Sequence, residues 1–125
     1  MRRALSIAVV LIGFATPTGA DFGEDWQYCS NEANPDVAIE ACTEVIQAGK
    51  LYNENLAIAY FNRGSAYYEK GDYRSAVQDF NEAIRLKPNY AEAYYSRGVA
   101  YHESGRNDLA EKDYTRANRL KTVPR

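Results

Sequence analysis

An all-α array of stacked antiparallel helix pairs, about three of them, is the fold that this sequence predicts. Three observations carry the prediction. Residues 57–90 nearly repeat themselves at 91–124, each copy divides into two helix-like halves, and a degenerate third unit precedes them at 21–56. In register, Ala57/Ala91, Ala59/Ala93, Tyr60/Tyr94, Arg63/Arg97, Gly64/Gly98, Ala66/Ala100, Tyr67/Tyr101, Gly71/Gly105, Ala76/Ala110, Asp79/Asp113, Ala83/Ala117, Arg85/Arg119 and Leu86/Leu120 coincide. A fixed period of this length marks a repeat architecture whose units bury one another's apolar faces. Such arrays usually present a surface to partners rather than a reaction centre.

The first twenty residues are set apart from the fold. Arg2 and Arg3 form a positive start, Ala4 to Ala15 an apolar stretch, and Thr18-Gly19-Ala20 a run of small residues. That is the layout of a secretory signal peptide, with the mature chain starting at Asp21. The apolar stretch is short of the roughly 20 residues a spanning helix needs, so no stable membrane span is expected after leader removal. Secretion beyond the cell or N-terminal anchoring are the alternatives to a periplasmic location.

The degenerate unit begins the fold. Asn34-Pro35-Asp36 is a helix start with Pro in the first turn. Ala38, Ile39, Cys42 and Ile46 then match Ala76, Val77, Phe80 and Ile84 of the next unit, and Cys29 falls at the place of Tyr67. Two cysteines in an exported chain read first as a disulfide. Cys29–Cys42 would replace an aromatic contact by a covalent one, and closing a loop of this size contributes about 3 kcal/mol in the entropy model. Zinc would need three or four ligands, and the one histidine, His102, is distant in sequence, so no metal or other cofactor is expected. Gly49 to Asn55 form the joint to the next unit.

In the middle unit, Ala59, Tyr60, Arg63, Gly64 and Tyr67 recur at three- and four-residue steps and share a helical stripe. Gly71 ends that helix in the left-handed conformation, and Asp72 caps the next. Ala76, Val77, Phe80, Ala83 and Ile84 form its inner stripe and Pro88 stops it. Small residues at 64, 76 and 83 let the helices approach, and Tyr60, Tyr67 and Phe80 fill the space beside them. Asn89 with Glu92 reads as a capping box for the third unit. There Gly105 ends one helix, Asn107 caps the next, and Ala110, Tyr114, Ala117 and Leu120 form the inner stripe.

Charge is unevenly placed. Residues 21–56 hold eight acids and one base, Lys50, whereas residues 57–125 hold nine acids and twelve bases. The acidic balance of the mature chain argues against nucleic acid, which needs a basic field to meet phosphates. Little sequence follows the last repeat, so Leu109, Tyr114 and Ala117 are expected near an uncovered end. Either that end pairs with another copy, helped by the acidic front and basic back, or Arg106, Lys112, Arg116 and Arg119 keep it solvated.

Tyr60, Gly64, Tyr67, Gly71-Asp72-Tyr73, Ala76, Phe80, Ala83 and Pro88 together resemble the tetratricopeptide repeat. The third unit keeps Tyr94, Gly98, Tyr101, Gly105, Ala110, Tyr114 and Ala117, and departs at Arg106-Asn107 and Thr122. The arrangement around Cys29, Cys42 and Asn62-Arg63-Gly64 is similar to small exported bacterial members, which implies a periplasmic location. The resemblance implies a right-handed superhelix whose first helices line a concave groove for a protein or peptide. By position, that groove would show Phe61, Asn62, Ser65, Tyr68 and Glu69, then Glu92, Tyr95, Ser96, Val99, His102 and Glu103. A family clamp for terminal carboxylates needs cations where this chain has Glu92 and Ser96. Phe61, Tyr68 and Tyr95 lie off the inner stripe. They read either as a sticky binding surface or as residues half-buried against the next repeat.

No nucleophile–base pair, metal cluster or Gly-rich phosphate loop appears, and no enzyme activity is expected. Glu69 and Glu103 fall at equivalent positions, which repetition alone explains. The expected function is therefore an exported interaction module. Self-association in the envelope is the alternative, and glycan binding through Phe61, Tyr68 and Tyr95 a lesser one.

Overall fold

In the computed structural model, which describes residues 22–31 and 33–122, the regular elements are α1 (Phe22–Asn31), α2 (Pro35–Gln47), α3 (Asn53–Glu69), α4 (Tyr73–Leu86), α5 (Ala91–Glu103) and α6 (Asn107–Thr122). The leader expected at 1–20 lies outside these residues. The helices pair in chain order as three hairpins, and each hairpin packs on the next through α2 with α3 and α4 with α5. First helices also touch one another, α1 with α3 and α3 with α5, so they share one face of the array. The fold is an all-α solenoid of the predicted kind.

Local chemistry explains most helix ends. The Asn34 side chain accepts from the Asp36 backbone N–H at 3.0 Å, and Pro35 opens α2 where its missing N–H costs nothing. Asp72 accepts from the Ser75 N–H at 3.1 Å and from its hydroxyl at 2.7 Å, capping α4. These bonds hold the Asp72 carboxyl below its ordinary pKa. Gly71 at φ 77° and Gly105 at φ 79° make the left-handed exits as expected.

Three expectations are corrected. Residues 53–55, placed in the joint, belong to α3, whose flanking residue is Tyr52. Asn89 and Glu92 form no capping box, because α5 starts one residue later at a Tyr90 cap without a side-chain bond. Asn107 lies inside α6, and the Arg106 carbonyl takes the first intrahelical bond from Ala110 N–H at 3.1 Å.

The core is mostly alanine. Ala57, Ala59, Ala76, Ala83, Ala93 and Ala100 are fully buried, with Phe80, Val45 and Cys42 the largest side chains beside them. Tyr60, Tyr67, Tyr94 and Tyr101 are only half-buried. Tyr67 packs on the Ala76, Phe80 and Ala100 cluster as expected, whereas Tyr60 and Tyr94 flank arginines, with Arg63 5.5 Å from the Tyr60 ring and Arg97 5.5 Å from that of Tyr94. Close approach of each later hairpin rests on one glycine. A Cβ at Gly64 would lie 2.9 Å from the Phe80 ring, and one at Gly98 2.8 Å from that of Tyr114.

Candidate interaction groove

The shared face of α3 and α5 gathers most of the positions expected to line a groove. Ser65, Tyr68 and Glu69 of α3 and Ser96 and Val99 of α5 surround a hollow of about 180 Å³, with Phe80 as its floor. Hydroxyls, an aromatic ring and an aliphatic side chain thus meet at one place. The Ser65 hydroxyl donates to the Phe61 carbonyl at 2.9 Å. The Tyr68 ring lies 5.5 Å from Tyr73.

The other expected residues surround this hollow or turn away from it. Tyr95 is 52% exposed, stacked 5.4 Å from Tyr114, with the Lys121 ammonium 5.8 Å above its ring. Glu69, His102 and Glu103 are exposed in the last turns of their helices, and Glu92 is exposed in the first turn of α5. Asn62 is half-buried. Desolvation first, then the Glu103 carboxylate, raises the Tyr68 pKa. Tyr114 is raised likewise by desolvation, then by Tyr95, Glu103 and Tyr68. Tyr68, Tyr95, Tyr114 and Glu103 therefore share one electrostatic neighbourhood.

Phe61 is a packing residue. Its ring lies 5.7 Å from Phe80 and 5.1 Å from Tyr90, so the start of the next hairpin covers it. Burial pushes the Tyr90 hydroxyl up to about 12, with Glu92 adding to the effect. Tyr90 was not among the expected residues, because its partner comes from another repeat.

The larger omission is an ion-pair system. Arg63 grips Asp79 through two bonds of 2.8 Å, and Arg97 grips Asp113 through bonds of 2.8 and 2.7 Å. Both aspartates are 5% exposed. Each arginine also reaches back to the preceding hairpin, Arg63 to Thr43 at 3.2 Å and Arg97 to Asn81 at 2.8 Å. The hydrogen bond to its aspartate is the chief reason each arginine's pKa rises further. The signal was present in the sequence, since Arg63/Arg97 and Asp79/Asp113 recur together at a common separation.

Of the residues expected near an uncovered end, Ala117 is buried and Leu109 and Tyr114 are half-buried, and a depression on α6 is lined by Asp108, Glu111, Lys112, Thr115, Arg116 and Arg119. At the opposite end, Cys29 of α1 and Cys42 of α2 are joined as a disulfide with Cα atoms 4.6 Å apart. Among the described residues, no group of three or more His, Cys, Asp and Glu could hold a metal, and no helix is long and apolar enough to cross a membrane.

Known proteins share this architecture. A family model described as "TPR repeat" matches residues 64–105, and one described as "Tetratricopeptide repeat" matches residues 91–122. The crystal structure of MamA is similar at 29% identity and a TM-score of 0.64, over 71% of this chain and 50% of that one. A second MamA structure gives 30% and 0.62, over 70% and 45%, so this chain spans about half of the MamA chains it matches. The second TPR of Spaghetti (RPAP3), bound to the HSP90 peptide SRMEEVD, gives 27% and 0.68, over 81% of this chain and 89% of that one. The repeat matches and these neighbours place the chain in the tetratricopeptide repeat family, whose fold serves as a protein–protein interaction module.

Proposed function

We propose that this protein is an exported, non-enzymatic module that holds an extended protein segment on the face shared by α3 and α5. The hollow bounded by Ser65, Tyr68, Glu69, Ser96 and Val99 carries this reading. It offers apolar contact and hydroxyls at adjacent turns, and aromatic anchors supply much of the energy in such interfaces. The RPAP3 domain binds a peptide on the same fold. Its peptide is acidic, whereas Glu69, Glu92 and Glu103 on the face here favour a neutral or basic occupant.

A photocrosslinker at Ser96, used in the native host, tests the groove. A discrete adduct is expected, lost in Tyr68→Ala/Tyr95→Ala and absent with the crosslinker at Lys112. Equal adducts at positions 96 and 112 would remove the groove from the account. Phe61 is left intact because its loss would disturb packing. Glycan binding loses its third ring for the same reason. Export rests on the leader-like residues 1–20, and N-terminal sequencing of the native protein should begin at Asp21. Self-association keeps the charge asymmetry as support, and charged and polar residues line the depression on α6.

A further inference from the structure

The repeat provides its own control for a second cleft, where α4 meets α5. Tyr73, Arg74 and Val77 of α4 face Tyr101 and Ser104, with Arg106 beside them, around a hollow of about 250 Å³. The equivalent cleft one hairpin earlier lies between α2 and α3. Repeat register puts Asp36 there in the place of Arg74, Ile39 in that of Val77, Tyr67 in that of Tyr101, and Lys70 in that of Ser104. Asp36 and Lys70 form an ion pair across that joint. The hydrogen bond and charge of Asp36 raise the Lys70 pKa, and Tyr67 contributes as well. The earlier cleft is thus closed by a carboxylate from the chain itself.

At the later joint the same positions cannot close. Arg74 replaces the carboxylate, and Ser104 replaces the ammonium, its hydroxyl donating to the Ala100 carbonyl at 2.8 Å. Arg106 stands where the earlier unit has Asp72, with its guanidinium 5.4 Å from the Tyr101 ring. Among the described residues neither Arg74 nor Arg106 has an ion-pair partner. Asp72, two residues before Arg74, is committed to capping α4. Two guanidinium groups therefore flank an aromatic and aliphatic floor with no internal anion between them.

We propose that this cleft docks an acidic peptide segment of a partner protein. An Asp or Glu carboxylate of the segment sits between Arg74 and Arg106, doing there what Asp36 does one joint earlier, and an apolar neighbour rests on Val77 and Tyr101. Guanidinium suits this role because it binds carboxylates through paired bonds and stacks on tyrosine while doing so. The cleft shares no residue with the groove hollow, although its Tyr73 touches the groove's Tyr68.

The test is fluorescence anisotropy on the full chain with a labelled peptide alternating glutamate and leucine, and a lysine-for-glutamate control. The glutamate peptide should bind, at least about tenfold tighter than the control, and should weaken from roughly 20 to 300 mM salt. Arg74→Asp/Ser104→Lys rebuilds the earlier joint's closure. It should keep the wild-type thermal midpoint and lose about tenfold or more in affinity. The groove variant Tyr95→Ala, which leaves the Tyr68–Tyr73 contact in place, should bind the glutamate peptide as wild type does. Absence of binding to wild type, unchanged binding by the rebuilt variant, or loss in the groove variant would each overturn the proposal. Sedimentation showing a low-salt dimer that the rebuilt variant abolishes would assign the acid to a second copy and overturn the partner-peptide occupant.

Discussion

Between α1 and α2 the cross-link is covalent, Cys29 to Cys42; between α3 and α4, and again between α5 and α6, it is ionic, Arg63 to Asp79 and Arg97 to Asp113. The register shows why the two devices do not coexist. The place of Arg63 is taken in the first hairpin by Asp25, and that of Asp79 by Ala41. The ion pair has neither half there. The cysteines stand instead at the positions of Tyr67 and Phe80. The ionic hairpins also tie themselves backward through Thr43 and Asn81, which a disulfide within one hairpin cannot do. The front of the molecule therefore depends on an oxidising environment, whereas the back holds together in any redox state.

The most severe way to break this comparison is to delete one half of the middle ion pair. Asp79→Ala leaves the Arg63 guanidinium, itself mostly buried, without its carboxylate. Removing one partner of a buried pair costs about 3–5 kcal/mol, to be read as a drop in the urea midpoint. A loss under about 1 kcal/mol would mean that the arginine finds water, and that the pair is not the clasp of this hairpin. Next comes Cys29→Ala/Cys42→Ala, expected to cost about 3 kcal/mol. Its loss should be local: hydrogen exchange should speed up in α1 and α2 and stay near wild type in α5 and α6. Uniform acceleration would show that the first hairpin nucleates the array.

The glycines sharpen the contrast between the two ionic hairpins. Gly64→Ala sets a methyl 2.9 Å from the ring of Phe80, which is 1% exposed and has nowhere to go. Overpacking of about 1–3 kcal/mol then outweighs the helix gain of up to about 1 kcal/mol. Gly98→Ala meets the half-buried Tyr114, which can swing outward, although the Ala110 carbonyl 3.2 Å away cannot. Thermal midpoints should therefore fall further for Gly64→Ala than for Gly98→Ala.

Period and punctuation made the helices legible. Apolar steps of three and four residues, Gly71 and Gly105, and the Asp72 cap each act within one helix or one turn, where sequence neighbours are spatial neighbours. Of the groove, Ser65, Tyr68, Glu69, Ser96 and Val99 were placed by the family resemblance carried over by position, and the structure brings these five around one hollow. What escaped depends on contacts between elements. Phe61 stayed undecided between a binding surface and half-burial because its cover, Tyr90, belongs to the next hairpin. Tyr60 and Tyr94 passed for core filling because the half-buried arginines beside them were not paired with their aspartates. That pairing needs the hairpin closed before Arg63 and Asp79 become neighbours.

The smallest expected effect concerns the start of α6. Asp72 caps α4, but its equivalent, Arg106, has no acceptor in its side chain. Arg106→Asp would place a carboxylate within reach of the Leu109 N–H, as Asp72 is of that of Ser75. The new cap and the negative charge at the positive end of the helix dipole should stabilise the last hairpin by about 0.5–1 kcal/mol. The sign with pH follows from Asp72, whose hydrogen bonds from Ser75 hold its folded pKa below the ordinary carboxylate value. A carboxylate depressed in this way contributes fully above its unfolded pKa and loses the contribution as pH falls through its folded one. The variant should therefore exceed wild type in urea midpoint at pH 7 and converge with it as the solution is acidified. A gain that persists undiminished in acid would assign the effect to the removed guanidinium rather than to the cap.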